Sequence, residues 1–166
     1  MTPGWDASTG WGLARVGAAL AAPAPPRDLS EPNDDIGWVN GTYYPTPGGA
    51  IFSGGARPAA VDGLLDKFED YADVYRIVMP ARSRVKVTLR SRTGDADLAV
   101  YDRHARSTAT RRWLIDRSAH TGSTLDSTEI VNAGARQSVY VAAYIDQGAQ
   151  GLDATYHLTA RRLRDR

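Results

Sequence analysis

Asp73-Val-Tyr-Arg-Ile-Val-Met-Pro-Ala-Arg-Ser-Arg-Val-Lys-Val-Thr-Leu-Arg90 contains two strands and the turn between them. In the first run, alternation puts Val74 and Tyr75 on opposite faces, and Pro80, which lacks an amide hydrogen, ends it. The second run places Val85, Val87 and Leu89 on one face and Arg84, Lys86, Thr88 and Arg90 on the other. That is a half-buried strand. Outward from this pair, residues 98–101, 113–115, 127–131, 138–145 and 154–160 read as further strands. Turn residues punctuate them at Pro80-Ala-Arg, Thr93-Gly-Asp, Ala133-Gly-Ala and between Gly148 and Gly151. Six or more short strands, with no helical period of comparable strength, predict an all-β antiparallel β-sandwich. Connections this short exclude crossovers, hence the antiparallel order. Residues 41–55 are rich in Gly, Tyr and Pro and read as a long surface loop.

Composition bounds the function. The chain has 166 residues, 42% hydrophobic and 23% charged, enough for one packed domain plus a tail. Twenty basic residues against 19 acidic give a net charge of +1, spread along the length, which offers no basic face for nucleic acid. The closing run Arg161, Arg162, Arg164 and Arg166 is interrupted by Asp165 and reads as a solvated tail. The longest apolar stretch, residues 16–26, is mostly Ala and Gly and falls short of the roughly 20 residues of a membrane span. With no cysteine, disulfides, thiolate zinc sites and cysteine nucleophiles are excluded. The segment after Met1 lacks the basic start and apolar core of a signal peptide, so an export signal is expected upstream.

Three sections differ in texture. Residues 1–22 read as a turn and a short Ala-rich helix, residues 23–30 as an extended Pro-rich linker, and residues 31–162 as the folded domain.

Two stretches carry resemblances. Gly4-Trp-Asp-Ala-Ser-Thr-Gly-Trp-Gly-Leu-Ala-Arg-Val-Gly-Ala-Ala-Leu resembles the closing segment of the catalytic domain of subtilisin-like serine proteases, so residues 1–22 are expected to be its C-terminal remnant. The second series runs from Glu31-Pro-Asn-Asp through Asp70-Tyr-Ala-Asp-Val-Tyr-Arg-Ile and Gly94-Asp-Ala-Asp-Leu-Ala-Val-Tyr-Asp. It ends in Val139-Tyr-Val-Ala-Ala-Tyr and Ala154-Thr-Tyr-His-Leu-Thr-Ala. This series is similar to the bacterial pre-peptidase C-terminal domain, a jelly-roll-like sandwich appended to secreted proteases and collagenases. The resemblance implies a secreted, non-catalytic accessory module, joined in cis to an upstream protease domain. Its expected role is to hold the enzyme on an extracellular protein polymer such as collagen, or to stabilise it. The alternative is an export or folding appendage cut off at the linker. The sequence departs from the pattern at residues 41–55, which are longer, and at Arg82, where a glycine is usual.

The resemblance also implies calcium. In collagenase-attached relatives a linker acid and amide join an Asp-x-x-Asp pair around the ion, and Glu31, Asn33, Asp34, Asp70 and Asp73 match those positions. A further acid of the relatives is replaced here by Leu29. Oxygen-only donors of this kind suit Ca²⁺. The competing reading is that Asn33-Asp34-Asp35 makes turns and that Asp70 and Asp73 decorate a strand end. Gly94-Asp95-Ala96-Asp97 reads as a structural turn.

No catalytic residue is predicted. A serine protease needs Asp, His and Ser converging on an oxyanion hole. His104, His120 and His157 stand isolated, and Ser118-Ala-His120 has no carboxylate motif beside it. Peptidase activity, a third reading, would have to be inherited from a parent protein. Among the aromatics, Tyr140 and Tyr144 share a strand face with Ala142 between them, whereas Tyr43, Tyr44 and Phe52 fall in the loop and suit a recognition surface.

Overall fold

The computed structural model describes residues 21, 29–67, 70–122, 124–145 and 153–164. The protease-like segment (apart from Ala21), most of the Pro-rich linker, Glu69 and the turn at residues 148–151 lie outside the described residues. Nine strands follow a single-turn helix, α1 (Ile36–Val39): β1 (Ala50–Phe52), β2 (Ala59–Leu65), β3 (Ala72–Met79), β4 (Ser83–Thr93), β5 (Asp97–Tyr101), β6 (Leu114–Ser118), β7 (Asp126–Asn132), β8 (Gln137–Tyr144) and β9 (Ala154–Leu163). They form two sheets, ordered β1-β3-β8-β5-β6 and β2-β9-β4-β7, so the chain is a β-sandwich.

Alternation fills the space between the sheets. Tyr75, Ile77 and Met79 of β3 face Val85, Val87 and Leu89 of β4 and Tyr156, Leu158 and Ala160 of β9 in one continuous core. A second, smaller cluster lies on the outer face of the five-stranded sheet, where Val74, Ala99, Tyr140 and Ala142 pack under Ile36 and Val39 of α1. Burial of apolar surface at roughly 25 cal/mol per Å² makes both clusters stabilising.

Four expectations need correction. Residues 50–52 form β1, which pairs parallel with β3, so the sheet is not wholly antiparallel and Phe52 sits in the core rather than on a loop. Residues 59–65 form an edge strand whose small and polar residues hide its period. Of the basic run near the C-terminus, Arg161 and Arg162 are exposed residues of β9, which continues through Leu163 and pairs Arg161 with Lys86; Arg166 lies outside the described residues. Tyr43 and Tyr44, although half-exposed, stack on Trp38 at 5.0 and 5.5 Å between ring centroids. Their loop is pinned to β3, because the Arg76 guanidinium donates twice to the Gly48 carbonyl, at 2.6 and 3.0 Å.

The turn joining the sheets after Pro80 uses a left-handed residue. Arg82 has φ 47°, the conformation that glycine adopts without cost, and its amide donates to the Gly134 carbonyl at 3.1 Å. Among the described residues no helix is long and apolar enough to cross a membrane.

Candidate functional site

The end of the linker is attached to the edge of the sandwich. Asn33 accepts at its backbone carbonyl from the Val74 amide of β3, 2.7 Å away, and its own amide donates to Glu31 Oε2 at 3.1 Å. Two residues on, Asp35 caps α1 and takes the amides of Ile36 and Thr108 on one oxygen, at 2.8 and 2.6 Å. On the other side, Asp66 and Asp70 exchange two backbone hydrogen bonds of 2.8 and 3.1 Å just ahead of β3.

These two anchorages bring three of the sequence-predicted residues together. One carboxylate oxygen from each of Glu31, Asp34 and Asp70 lies within 4.8 Å of the others. Like charges so close oppose ionisation, and burial adds to this. The Glu31 carboxyl is accordingly pushed up to about 8, first by burial, then by its hydrogen bond to Asp34 and the charge of Asp70. Asn33, 2% exposed, has neither its amide oxygen nor its amide nitrogen hydrogen-bonded, a costly state for a buried amide. Three crowded carboxylates fit a hard cation, which would neutralise them. Asp73, fully buried, is held from the core side: its Oδ2 accepts from the Tyr156 hydroxyl at 2.5 Å, and that hydroxyl lies 2.6 Å from the Tyr75 hydroxyl.

Sequence reasoning missed a Ser-His-Asp cluster. Ser118 at the end of β6 and His120 beyond it meet Asp126, which opens β7 and is fully buried. The geometry is not that of a proton relay. Asp126 Oδ1 takes the Ser118 hydroxyl directly at 2.7 Å, and also lies 2.8 Å from His120 Nδ1, which is itself 3.2 Å from Ser118 Oγ. A relay needs opposite ring nitrogens on the acid and the serine, whereas here both approach the same one. The His120 amide donates to the same carboxylate oxygen at 3.0 Å, so the cluster closes the β6–β7 connection. Of the other histidines, His157 Nδ1 is 2.7 Å from Asp62 Oδ1 on the neighbouring strand, and His104 stacks on Trp113.

Gly94 makes the turn expected of it, with φ 67°. The acids beside it reach further than a local turn requires. Asp95 accepts from the Gly122 amide at 2.7 Å, and Asp97 lies 3.8 Å from the Arg117 guanidinium.

No protein-family model matches the chain, and no curated protein matches it. Among solved structures it is similar to the pre-peptidase C-terminal domain of a collagenase from Bacillus anthracis. That likeness has 13% identity, covers 70% of this chain and 100% of the other, and gives a TM-score of 0.47. It is also similar to a periplasmic inhibitor of g-type lysozyme from Aeromonas hydrophila, at 14% identity, 69% and 96% coverage and a TM-score of 0.46. The inhibitor from Salmonella Typhimurium gives 13%, 70%, 99% and 0.43.

Proposed function

We propose that the chain is a non-catalytic accessory module of a secreted subtilisin-like protease, in which a calcium ion clamps the linker to the sandwich. The observation that carries the clamp is the meeting of Glu31, Asp34 and Asp70, next in the chain to the Asn33 carbonyl that accepts from Val74 of β3. Asp73, the fifth residue inferred from the resemblance, faces the core, where it takes the Tyr156 hydroxyl, and is not part of the carboxylate cluster. When bound, the ion supplies positive charge and coordination sites and no chemistry of reaction. The residues do the rest: Asn33 docks the chain on β3, Glu31 and Asp34 come from the segment just after the linker, and Asp70 comes from the sandwich. The parent enzyme is read from the subtilisin-like segment at residues 4–20. In this reading the sandwich targets the enzyme to an extracellular protein polymer.

Thermal melting with calcium and with chelator tests the clamp, because a ligand that binds only the folded state must raise the melting temperature. An unchanged melting temperature overturns it. A pull-down on insoluble collagen and other matrix proteins tests targeting. Calcium-dependent retention is expected, and retention on none of them favours an appendage used during export. Casein hydrolysis by this chain is expected to be nil, and turnover would refute the non-catalytic reading.

A further inference from the structure

The outer face of the five-stranded sheet carries a groove that the strand register explains. On β8 this face presents Tyr140, Ala142 and Tyr144 in succession. Ala142 pairs with Val74 on one side and with Ala99 on the other, and Ala99 pairs in turn with Arg117 of β6. In the flanking rows Tyr140 stands beside Tyr101, and Tyr144 beside Asp97. The small side chains of Ala142 and Ala99 therefore lie between Tyr140 and Tyr101 on one side and Tyr144 on the other. Along β8 these rows are about 13 Å apart, four residues at the strand rise. The result is an open cavity of ≈ 510 Å³, floored by Ala99 and Ala142 and walled by Tyr101 and Leu114 on one side and Tyr144 and Tyr71 on the other.

Two guanidiniums complete the lining, those of Arg111 and Arg117. Arg117 is held in place, 5.4 Å from the Tyr144 ring centroid and 3.8 Å from the buried carboxylate of Asp97. Arg111 opens the 3-10 turn Arg111–Trp113, is exposed, and makes no ion pair among the described residues. Of the acids whose charge reaches this face, Asp97 faces Arg117, and Asp35 faces Tyr101 while accepting two backbone amides. The groove thus has in Arg111 a cation with no ion pair among the described residues, and in Arg117 a cation set against the Tyr144 ring.

We propose that this groove binds an acidic glycan, with pyranose rings against the tyrosines and a carboxylate taken by Arg111 and Arg117. Guanidinium groups match a carboxylate in shape as well as charge. Tyrosines offer an apolar ring and a hydroxyl together, which suits sugar faces and their hydroxyls. An extended peptide could not add to the floor, because β5 and β8 lie inside the sheet and their backbone groups are spent on neighbouring strands. Side chains alone must do the binding. The proposal rests on the reading of the chain as a targeting module and gives that module a ligand class.

Titration calorimetry of the full chain with a polygalacturonate oligosaccharide, a neutral dextran oligosaccharide of equal length and oligoglutamate tests it. Polygalacturonate is expected to bind at least ten-fold more tightly than either of the others, with an affinity that falls as salt rises. Arg111→Ala, on an exposed turn, is expected to weaken it at least ten-fold, and Arg111→Glu to abolish it, both with unchanged melting temperature. Equal binding of oligoglutamate or dextran overturns the proposal, as does an affinity untouched by Arg111→Ala. If polygalacturonate fails while matrix proteins are retained, the glycan is refuted and the targeting reading stands; if both fail, both fall.

Discussion

The Tyr156 hydroxyl on β9 donates to the Asp73 carboxylate on β3, 2.5 Å away, tying the two sheets together through a bond buried between them. Burial and the Asp73 charge both hold the Tyr156 hydroxyl protonated, far above its ordinary range, so it remains a donor at every pH the fold survives. Tyr156→Phe removes the donor and leaves a buried carboxylate oxygen in need of one. We expect a loss of about 1–3 kcal/mol in urea unfolding. A loss below about 0.5 kcal/mol would show that the bond across the sandwich contributes little.

Gly63 exists to make room for that hydroxyl. A Cβ at Gly63 would lie 2.2 Å from the Tyr156 oxygen, and Gly63 is the register partner of Tyr156. Gly63→Ala must therefore move either the edge strand β2 or the tyrosine, at an overpacking cost of about 1–3 kcal/mol. The same Cβ would lie 2.3 Å from the ring Cζ and 2.7 Å from Cε1, so Tyr156→Phe, which removes only the hydroxyl, should leave most of the penalty in place, and a double-mutant cycle should read little coupling.

Arg82 occupies a glycine's conformation. At φ 47° its Cβ crowds the backbone, a strain of about 1–2 kcal/mol for an L-residue, partly offset by the smaller entropy that arginine loses on folding. Arg82→Gly is expected to raise stability by about 0.5–1 kcal/mol in the same unfolding experiment. Destabilisation would mean that the arginine side chain contributes more than its backbone strain removes.

The legible parts of this fold are those where one face of a strand meets the core. β4 and β9 show period two because each buries alternate residues against the core, whereas β3 and β8 are buried on both faces, the outer one in the second cluster. β2 does not show that period, because its glycine answers to the Tyr156 hydroxyl across the register and its other residues sit half-buried at an edge. The inward direction of Asp73 was readable, since it shares parity with Tyr75, Ile77 and Met79. Its partner was not, because Tyr156 lies 83 residues away along the chain. The meeting of Glu31 and Asp34 with Asp70 was named only through a resemblance, and Ser118, His120 and Asp126 converge through a turn that no motif marks.

The proposed clamp is pH-dependent in a definite direction. Without a cation the folded Glu31 carboxyl titrates near about 8, against 4.5 when unfolded, because burial and neighbouring Asp34 and Asp70 disfavour its charge. The folded state then holds a proton that the unfolded chain has released, so the contribution of Glu31 to stability is complete below 4.5 and is lost as pH rises toward 8. A cation must displace that proton, so calcium affinity should climb from pH 6 to pH 8 and level off above. Glu31→Gln removes the titrating group and should flatten this profile while lowering affinity about ten-fold or more at pH 8.5. Calorimetric titrations at three pH values, on both proteins, provide the check. A wild-type affinity that is level across this range would place the ion away from Glu31.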